Sequence, residues 1–283
     1  MRYVRFVNKP LVALAAIALG VCVGAQRQPT DAEVAISNQL SSLRSLPDAQ
    51  RVKATRDVAL AIRKLPAGPS KVNLASSLVS LTTEGDFGRG TLQATADTLA
   101  AAVKEEPPVR KDAYLQLANL ARYEGIKVDL TTASYAAALA EVEASDKARK
   151  KADFSLADRT GKSWTLAELK DKVVLVNFWS TTSPDYKNEL SDLDALATRF
   201  RDKGLVVLGI SDEAPEVVDA YLRDHPVGYP ILIDADRKVS TAYGIDSVPK
   251  NLVYDRKGRL VAQSIDRWSA SQLLQALGKA GLK

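Results

Sequence analysis

Two residue types that often carry chemistry are almost absent. The 283 residues include one cysteine, Cys22, and one histidine, His225. A cysteine–histidine nucleophile, a zinc site of soft ligands and a haem-attachment motif all need more than this. No Gly-x-Ser-x-Gly elbow marks a serine hydrolase. The acidic residues Asp212, Glu213, Glu216, Asp234 and Asp236 do not have EF-hand spacing and are read as helix starts and turns. No metal and no cofactor is expected. A concentrated basic face is missing too: 39 basic residues stand against 34 acidic ones, a net charge of +5, so nucleic acid is not an expected partner. Hydrophobic residues at 46% and charged residues at 26% are an ordinary globular balance, which excludes global disorder.

A long hydrophobic run is lacking as well. Leu11 to Val23 is almost wholly apolar but falls short of the roughly 20 residues that span a bilayer. Arg2, Arg5 and Lys9 precede it, and the small residues of Val23-Gly24-Ala25 close it. That layout predicts a secretory signal peptide over residues 1–25 and a periplasmic or secreted protein. Two alternatives place the chain on the membrane, facing the periplasm. One is an uncleaved signal; the other is lipidation of Cys22, which follows Leu19-Gly20-Val21 with a bulky residue where a small one is usual. Cleavage after Ala25 removes three basic residues and leaves 36 against 34, a net of +2, with no thiol. A chain of this size can build its core without disulfides.

What is present divides into two halves. Residues 26–151 read as an all-α domain. Apolar stripes recur at spacings of three and four: Ile36, Leu40, Leu43; Val58, Ile62, Leu65; Leu74, Leu78, Leu81. The pattern continues through Leu92, Leu99, Val103, then Tyr114, Leu117, Leu120, then Tyr135, Leu139, Val142. Breakers at Pro47, Pro66 to Pro69, Gly85, Pro107-Pro108 and Gly125 separate six helices, arranged as a bundle or as a short helical-repeat array with a period near 40 residues. No chemistry is visible in this half. Lys147 to Lys151 marks the boundary as a solvated linker or helix end, with contact to anionic lipid or an acidic partner as the functional alternative.

After the boundary the period changes. Val173 to Phe178 and Leu205 to Ile210 are apolar runs rich in β-branched residues, suited to strands buried on both faces. A helix over 186–203 lies between them, giving a right-handed β-α-β unit. A helix over 215–223, a strand over 229–233, a hairpin of 251–254 with 260–263 around Gly258, and a helix over 269–277 complete an α/β domain. It spans residues 152–283 and has a mixed central sheet with flanking helices.

Specific motifs then come into view. Asp153 to Leu166, followed by Lys172-Val-Val-Leu-Val-Asn-Phe-Trp179, resembles the opening of a TlpA-like periplasmic thiol–disulfide oxidoreductase of the thioredoxin-like superfamily. Asp212 to Ile233 fits that family's inserted helix and strand. Tyr243 to Pro249 fits its cis-proline segment. The resemblance implies a thioredoxin-like fold over residues 152–283 and a cis bond between Val248 and Pro249. The family's redox cysteines fall where this chain has Ser183 and Tyr186, within Ser183-Pro184-Asp185-Tyr186. A helix N-terminus there lowers the first thiol's pKa, and the second thiol resolves the mixed disulfide. A hydroxyl cannot form that intermediate and a phenol cannot resolve it. Peroxidase chemistry of the peroxiredoxin type fails on the same ground.

A serine nucleophile needs an adjacent base. Nothing in the sequence brings His225, at the expected end of the inserted helix, to Ser183. Ser183 reads instead as a helix cap with Pro184 at the first helical position. No catalytic residue is therefore assigned. The expected function is an exported, redox-inactive module that binds a protein or peptide of unknown identity, with Trp179, Tyr186, Val248 and Pro249 as the contact residues. The alternative is an enzyme of the oxidoreductase family, working with a partner's cysteines or with altered chemistry at Ser183.

Overall fold

The computed structural model describes residues 27–183 and 186–283, without the side chains of residues 186–188. The signal segment 1–25, with Cys22, lies outside the described residues, as do Pro184, Asp185 and the side chain of Tyr186.

The first half is helical: α1 (Asp31–Ser42), α2 (Asp48–Arg63), α3 (Pro69–Thr83), α4 (Arg89–Glu105), α5 (Asp112–Tyr123) and α6 (Ala133–Lys151). The breakers act locally. Pro69 occupies the first turn of α3, where its missing N–H has no intrahelical partner to lose. Gly88 precedes α4 at φ +78°, a conformation that disfavours a side chain. The stripes meet in one core through Ile36, Ile62, Leu78, Leu99, Leu117 and Val142. Each helix packs on the next, and α1 also touches α3, α2 touches α4, and α3 touches α5. Polar links follow the same rule. Arg56 and Arg63 of α2 donate to Thr91 and Thr98 of α4, each 35 residues on, and Ser76 of α3 donates to Gln116 of α5, 40 residues on. Neighbour and next-neighbour contacts of this kind belong to stacked helical pairs.

The second half contains β1 (Ser155–Ala157), β2 (Ser163–Thr165), β3 (Val173–Trp179), α7 (Tyr186–Phe200), β4 (Leu205–Ser211), α8 (Pro215–Asp224), β5 (Ile231–Ile233), α9 (Lys238–Ala242), β6 (Lys250–Tyr254), β7 (Leu260–Gln263) and α10 (Ala270–Lys279). The main sheet runs β5-β4-β3-β6-β7. β3, β4 and β5 are parallel, while β6 is antiparallel to β3 and β7 antiparallel to β6. Both faces of β3 are covered, which is why its sequence reads as a continuous apolar run. Val173, Leu175 and Trp179 join Leu193, Leu222 and Leu277 on the α7, α8 and α10 side. Val174, Val176 and Phe178 join Phe154, Tyr243 and Leu252 on the other.

Two elements differ from the sequence expectation by addition. The β1–β2 hairpin has three-residue strands of mixed exposure, too short for a periodicity to register. The single turn of α9 is started by Asp234, whose carboxylate accepts from the backbone N–H groups of Val239 and Ser240. The helix predicted over 186–203 gives way at Phe200 to a 3₁₀ turn, which Gly204 ends at φ +81°.

One expectation is narrowed. Residues 147–151 are a helix end, the last turn of α6, but Arg149 within them is buried and not solvated. The Arg149 guanidinium donates to the carbonyls of Tyr243 (2.8 Å) and Gly244 (3.0 Å), to Gln263 Oε1 (3.1 Å) and to the Tyr123 hydroxyl (3.2 Å). Asp146, one turn earlier and 3% exposed, accepts from Arg122, Tyr123 and Gln263 at 2.6–2.7 Å. Burial works against ionisation of this carboxyl, but those three hydrogen bonds outweigh it and hold its pKa below the ordinary value. The α6 side chains thereby fasten the helical half to β7 and to the loop before β6. Arg149→Ala is expected to cost about 3 kcal/mol in urea denaturation, because it strands buried acceptors from both halves. Arg149→Lys should recover little of this, since one ammonium cannot replace the planar fork.

Candidate functional site

The site is built where β3 ends. Beyond Trp179 the chain turns through Ser180 to Ser183, with the Ser183 N–H donating to the Ser180 carbonyl at 3.2 Å. Thr181 donates its backbone N–H and its hydroxyl to the two carboxylate oxygens of Glu213, each at 2.7 Å. Ser211, the last residue of β4, donates to the same carboxylate at 3.2 Å. Glu213 thus clamps the turn after β3 to the turn after β4. Ser183 is half-buried, and α7 opens at Tyr186. The cap expected from Ser183 and Pro184 involves positions outside the described residues.

Two more of the acidic residues named from the sequence are also in use. Asp212 pairs with Arg237, and Asp236 with Lys238. His225 sits at the end of α8 with its Nδ1 3.0 Å from the Tyr221 carbonyl and its ring stacked on Tyr221 at 4.3 Å.

The Val248–Pro249 bond is cis, as the resemblance implies. Pro249 is buried, Val248 is half-buried, and Asp246 and Ser247 are exposed. A hollow of about 70 Å³ brings Trp179, Asp212, Arg237, Ser247 and Val248 together. Two of the sequence-predicted contact residues, Trp179 and Val248, therefore meet there. Trp179 does so in an unexpected role: it is 0% exposed, with its ring 5.9 Å from that of Tyr221. It forms the floor of the hollow and lends no contact surface, which corrects the sequence reading. Gly209 of β4 makes room for it. A Cβ there would lie 3.1 Å from the indole nitrogen and 2.7 Å from Ile231 Cδ1.

A buried polar chain lies alongside. Asn177 of β3 sits opposite Asn251 of β6 and donates to its Oδ1 at 2.9 Å. Asn251 in turn donates to Glu189 Oε1 of α7 at 2.7 Å. The second oxygen of Glu189 has no hydrogen-bond partner among the described residues. Burial is the main cause that pushes this carboxyl up to about 7, against the lowering effect of Asn251. No sequence motif singled out Glu189. The signal that could have found the chain was Asn177, the one polar break in an apolar strand.

The sign of the pH effect follows. In the unfolded chain Glu189 ionises near its ordinary value of 4.5, whereas in the fold it keeps its proton up to about 7. Stability is fully present below the lower value and is lost as pH rises through the upper one. Glu189→Gln keeps an acceptor for Asn251 and removes the titration. Between pH 4.5 and 8 the variant should gain on the parent by on the order of 3 kcal/mol, read from urea denaturation at each pH. Other titrating groups are common to both proteins and drop out of the difference. A pH-independent difference would show that Glu189 is not held protonated.

Comparisons with known proteins fall on this second half. The AhpC/TSA family model matches residues 148–263. The thiol-disulfide oxidoreductase ResA of Bacillus thuringiensis (strain Al Hakam) is 28% identical over 122 residues, covering 43% of this chain and 70% of the relative. The ResA of Halalkalibacterium halodurans is 30% identical over 110 residues, covering 38% of this chain and 62% of the relative. Among solved structures, the exposed lipoprotein thioredoxin Etrx1 of Streptococcus pneumoniae strain TIGR4 is 26% identical with a TM-score of 0.42, covering 45% of this chain and 99% of that one. StoA from Bacillus subtilis is 18% identical with a TM-score of 0.40, covering 44% and 96%. Strand order, the cis-proline and the matched sequence agree on one conclusion: the second half of the chain is a thioredoxin-like domain, similar in sequence to the ResA thiol-disulfide oxidoreductases.

Proposed function

We propose that the protein is an exported, redox-inactive thioredoxin-like binding module, periplasmic or secreted, that holds an extended stretch of a protein or peptide against the Ser183 turn and the Val248–Pro249 segment. One observation carries the reading. The surroundings of a redox site are retained, with the turn after β3 clamped by Glu213 and a cis-proline nearby, while both cysteine positions are Ser183 and Tyr186. Past Cys22 the chain has no thiol at all. The half-buried Val248 and the exposed Ser247 and Asp246 supply main-chain and apolar surface at that point. The basic and apolar stretch over residues 1–25 supports export.

The relatives' names support a second reading, a thiol–disulfide oxidoreductase acting through a partner's cysteines or with altered chemistry at Ser183. The two readings part in one assay. Insulin reduction by dithiothreitol, followed by turbidity, should run at the rate of a no-protein control; acceleration by the protein would remove redox inactivity. The paired change Ser183→Cys and Tyr186→Cys should then form a disulfide and raise the rate above that control.

Binding is tested separately. Carboxymethylated α-lactalbumin, an unfolded chain with blocked thiols, should bind the protein, and Val248→Glu should weaken it at least fivefold, or about 1 kcal/mol, in fluorescence anisotropy. Equal binding by the variant would move the contact surface elsewhere.

A further inference from the structure

The seam between the two halves is not closed along its whole length. Beside the Arg149 fastening, a cleft of about 370 Å³ opens between α3, α5 and α6 on one side and residues 244–250 with Ile265 and Asp266 on the other. Clefts that hold small ligands begin at about this size. Its walls carry apolar groups such as Leu115, Val142 and Ile245 beside polar ones such as Ser80, Asn119 and Ser145.

Lys250 lines this cleft. It is the residue after the cis-proline and is only 8% exposed. Its ammonium makes no hydrogen bond and no ion pair among the described residues; its one close partner is the face of the Tyr123 ring, at 5.0 Å. Most of the charged groups around it are already engaged or desolvated. Arg149 is spent on the Tyr243 and Gly244 carbonyls, and Asp146 on Arg122, Tyr123 and Gln263. Glu141 is held by Lys111. Burial, the first cause, raises the pKa of Asp266, whose carboxylate accepts from the Arg267 N–H. Asp246 is exposed at the rim. A buried ammonium with no directly paired carboxylate is costly, and burial outweighs the more distant charges of Asp146, Asp266 and Asp246. Burial, seconded by Arg149, brings the Lys250 pKa down to about 7.

We propose that this interdomain cleft binds a small organic carboxylate whose anionic group pairs with the Lys250 ammonium and whose apolar body lies against Leu115, Val142 and Ile245. The cleft offers an ammonium that no carboxylate pairs with among the described residues, an apolar wall and hydroxyl or amide groups, and a carboxylic acid anion with a short hydrocarbon body satisfies all three. Binding then draws a proton onto Lys250, because only the ammonium form pairs with the ligand. The site lies on the helical side of the cis-proline, whereas the peptide-binding surface proposed above lies on the Ser183 side. Either can fail without the other.

The test is isothermal titration of the full chain with acetate, succinate and benzoate, using benzamide and inorganic phosphate as controls, at pH 6 and pH 8. At least one acid should bind saturably and benzamide should not. Affinity should fall about tenfold from pH 6 to pH 8, as the competent ammonium fraction falls. Lys250→Met should abolish binding. Lys250→Arg, which keeps a cation that cannot lose its proton, should bind with no such pH dependence. Failure of all three acids to bind, equal binding of benzamide, or binding that survives in Lys250→Met overturns the proposal. Phosphate binding as tightly as the acids would mark a general anion hole and overturn the assignment to carboxylates.

Discussion

Asp146 and Arg149 lie one turn apart on α6, both buried, and between them they engage groups from both halves of the molecule. Asp146 collects donors from α5 and from Gln263 of β7. Arg149 spends its planar fork on two successive backbone carbonyls just ahead of the cis-proline. A buried ion pair adds little net stability when its desolvation is counted, but it tolerates few alternative geometries. Here that property fixes where the helical stack ends and where the sheet domain begins. The loop from Tyr243 to Lys250 is set by it, and so are the orientation of β7 and the cleft between the halves.

The same loop joins two otherwise separate features. On one side it carries the cis-proline beside the hollow over Trp179, with the turn after β3 tied down by Glu213. On the other it carries Lys250, a buried cation facing the helical stack. A thioredoxin-like domain alone would leave that second side open to water, where a lysine is unexceptional. The helices beside it bury the amine and give it an environment in which its charge depends on what occupies the cleft.

Two ionisable groups near the site, Glu189 and Lys250, share a feature: each is buried without a full set of partners and each is brought to about 7 from opposite directions. Around neutral pH each is therefore divided between its charged and its neutral form. Glu189 belongs to a chain of hydrogen bonds through Asn251 and Asn177 that ties α7 to the two central strands. That chain lies within one domain and supports the frame around the turn after β3. Lys250 has no such chain on its own side.

Much of this was legible in the residues. Three- and four-residue spacings located six helices, and β-branched runs located the central strands, because burial on one stripe or on two faces dictates those patterns. The motif from Asp153 to Trp179, with Val248-Pro249, pointed to the second fold, and Ser183 and Tyr186 stand where that motif places its cysteines. The hairpin of β1 and β2 and the short α9 escaped, since three to five residues carry no period. Trp179 could not be assigned to interior or surface from sequence, because its burial depends on Gly209 of the neighbouring strand leaving space. The run 147–151 read as a solvated linker or helix end because composition does not say which arginine meets a carbonyl 94 residues away. The sequence by itself determined the two halves, their classes and the loss of the thiols, which depend on local pattern and residue chemistry. Only the tertiary structure decided how the halves are fastened, that Glu189 and Lys250 are buried, and that a cleft lies between the domains, because each depends on groups distant in the chain excluding water together.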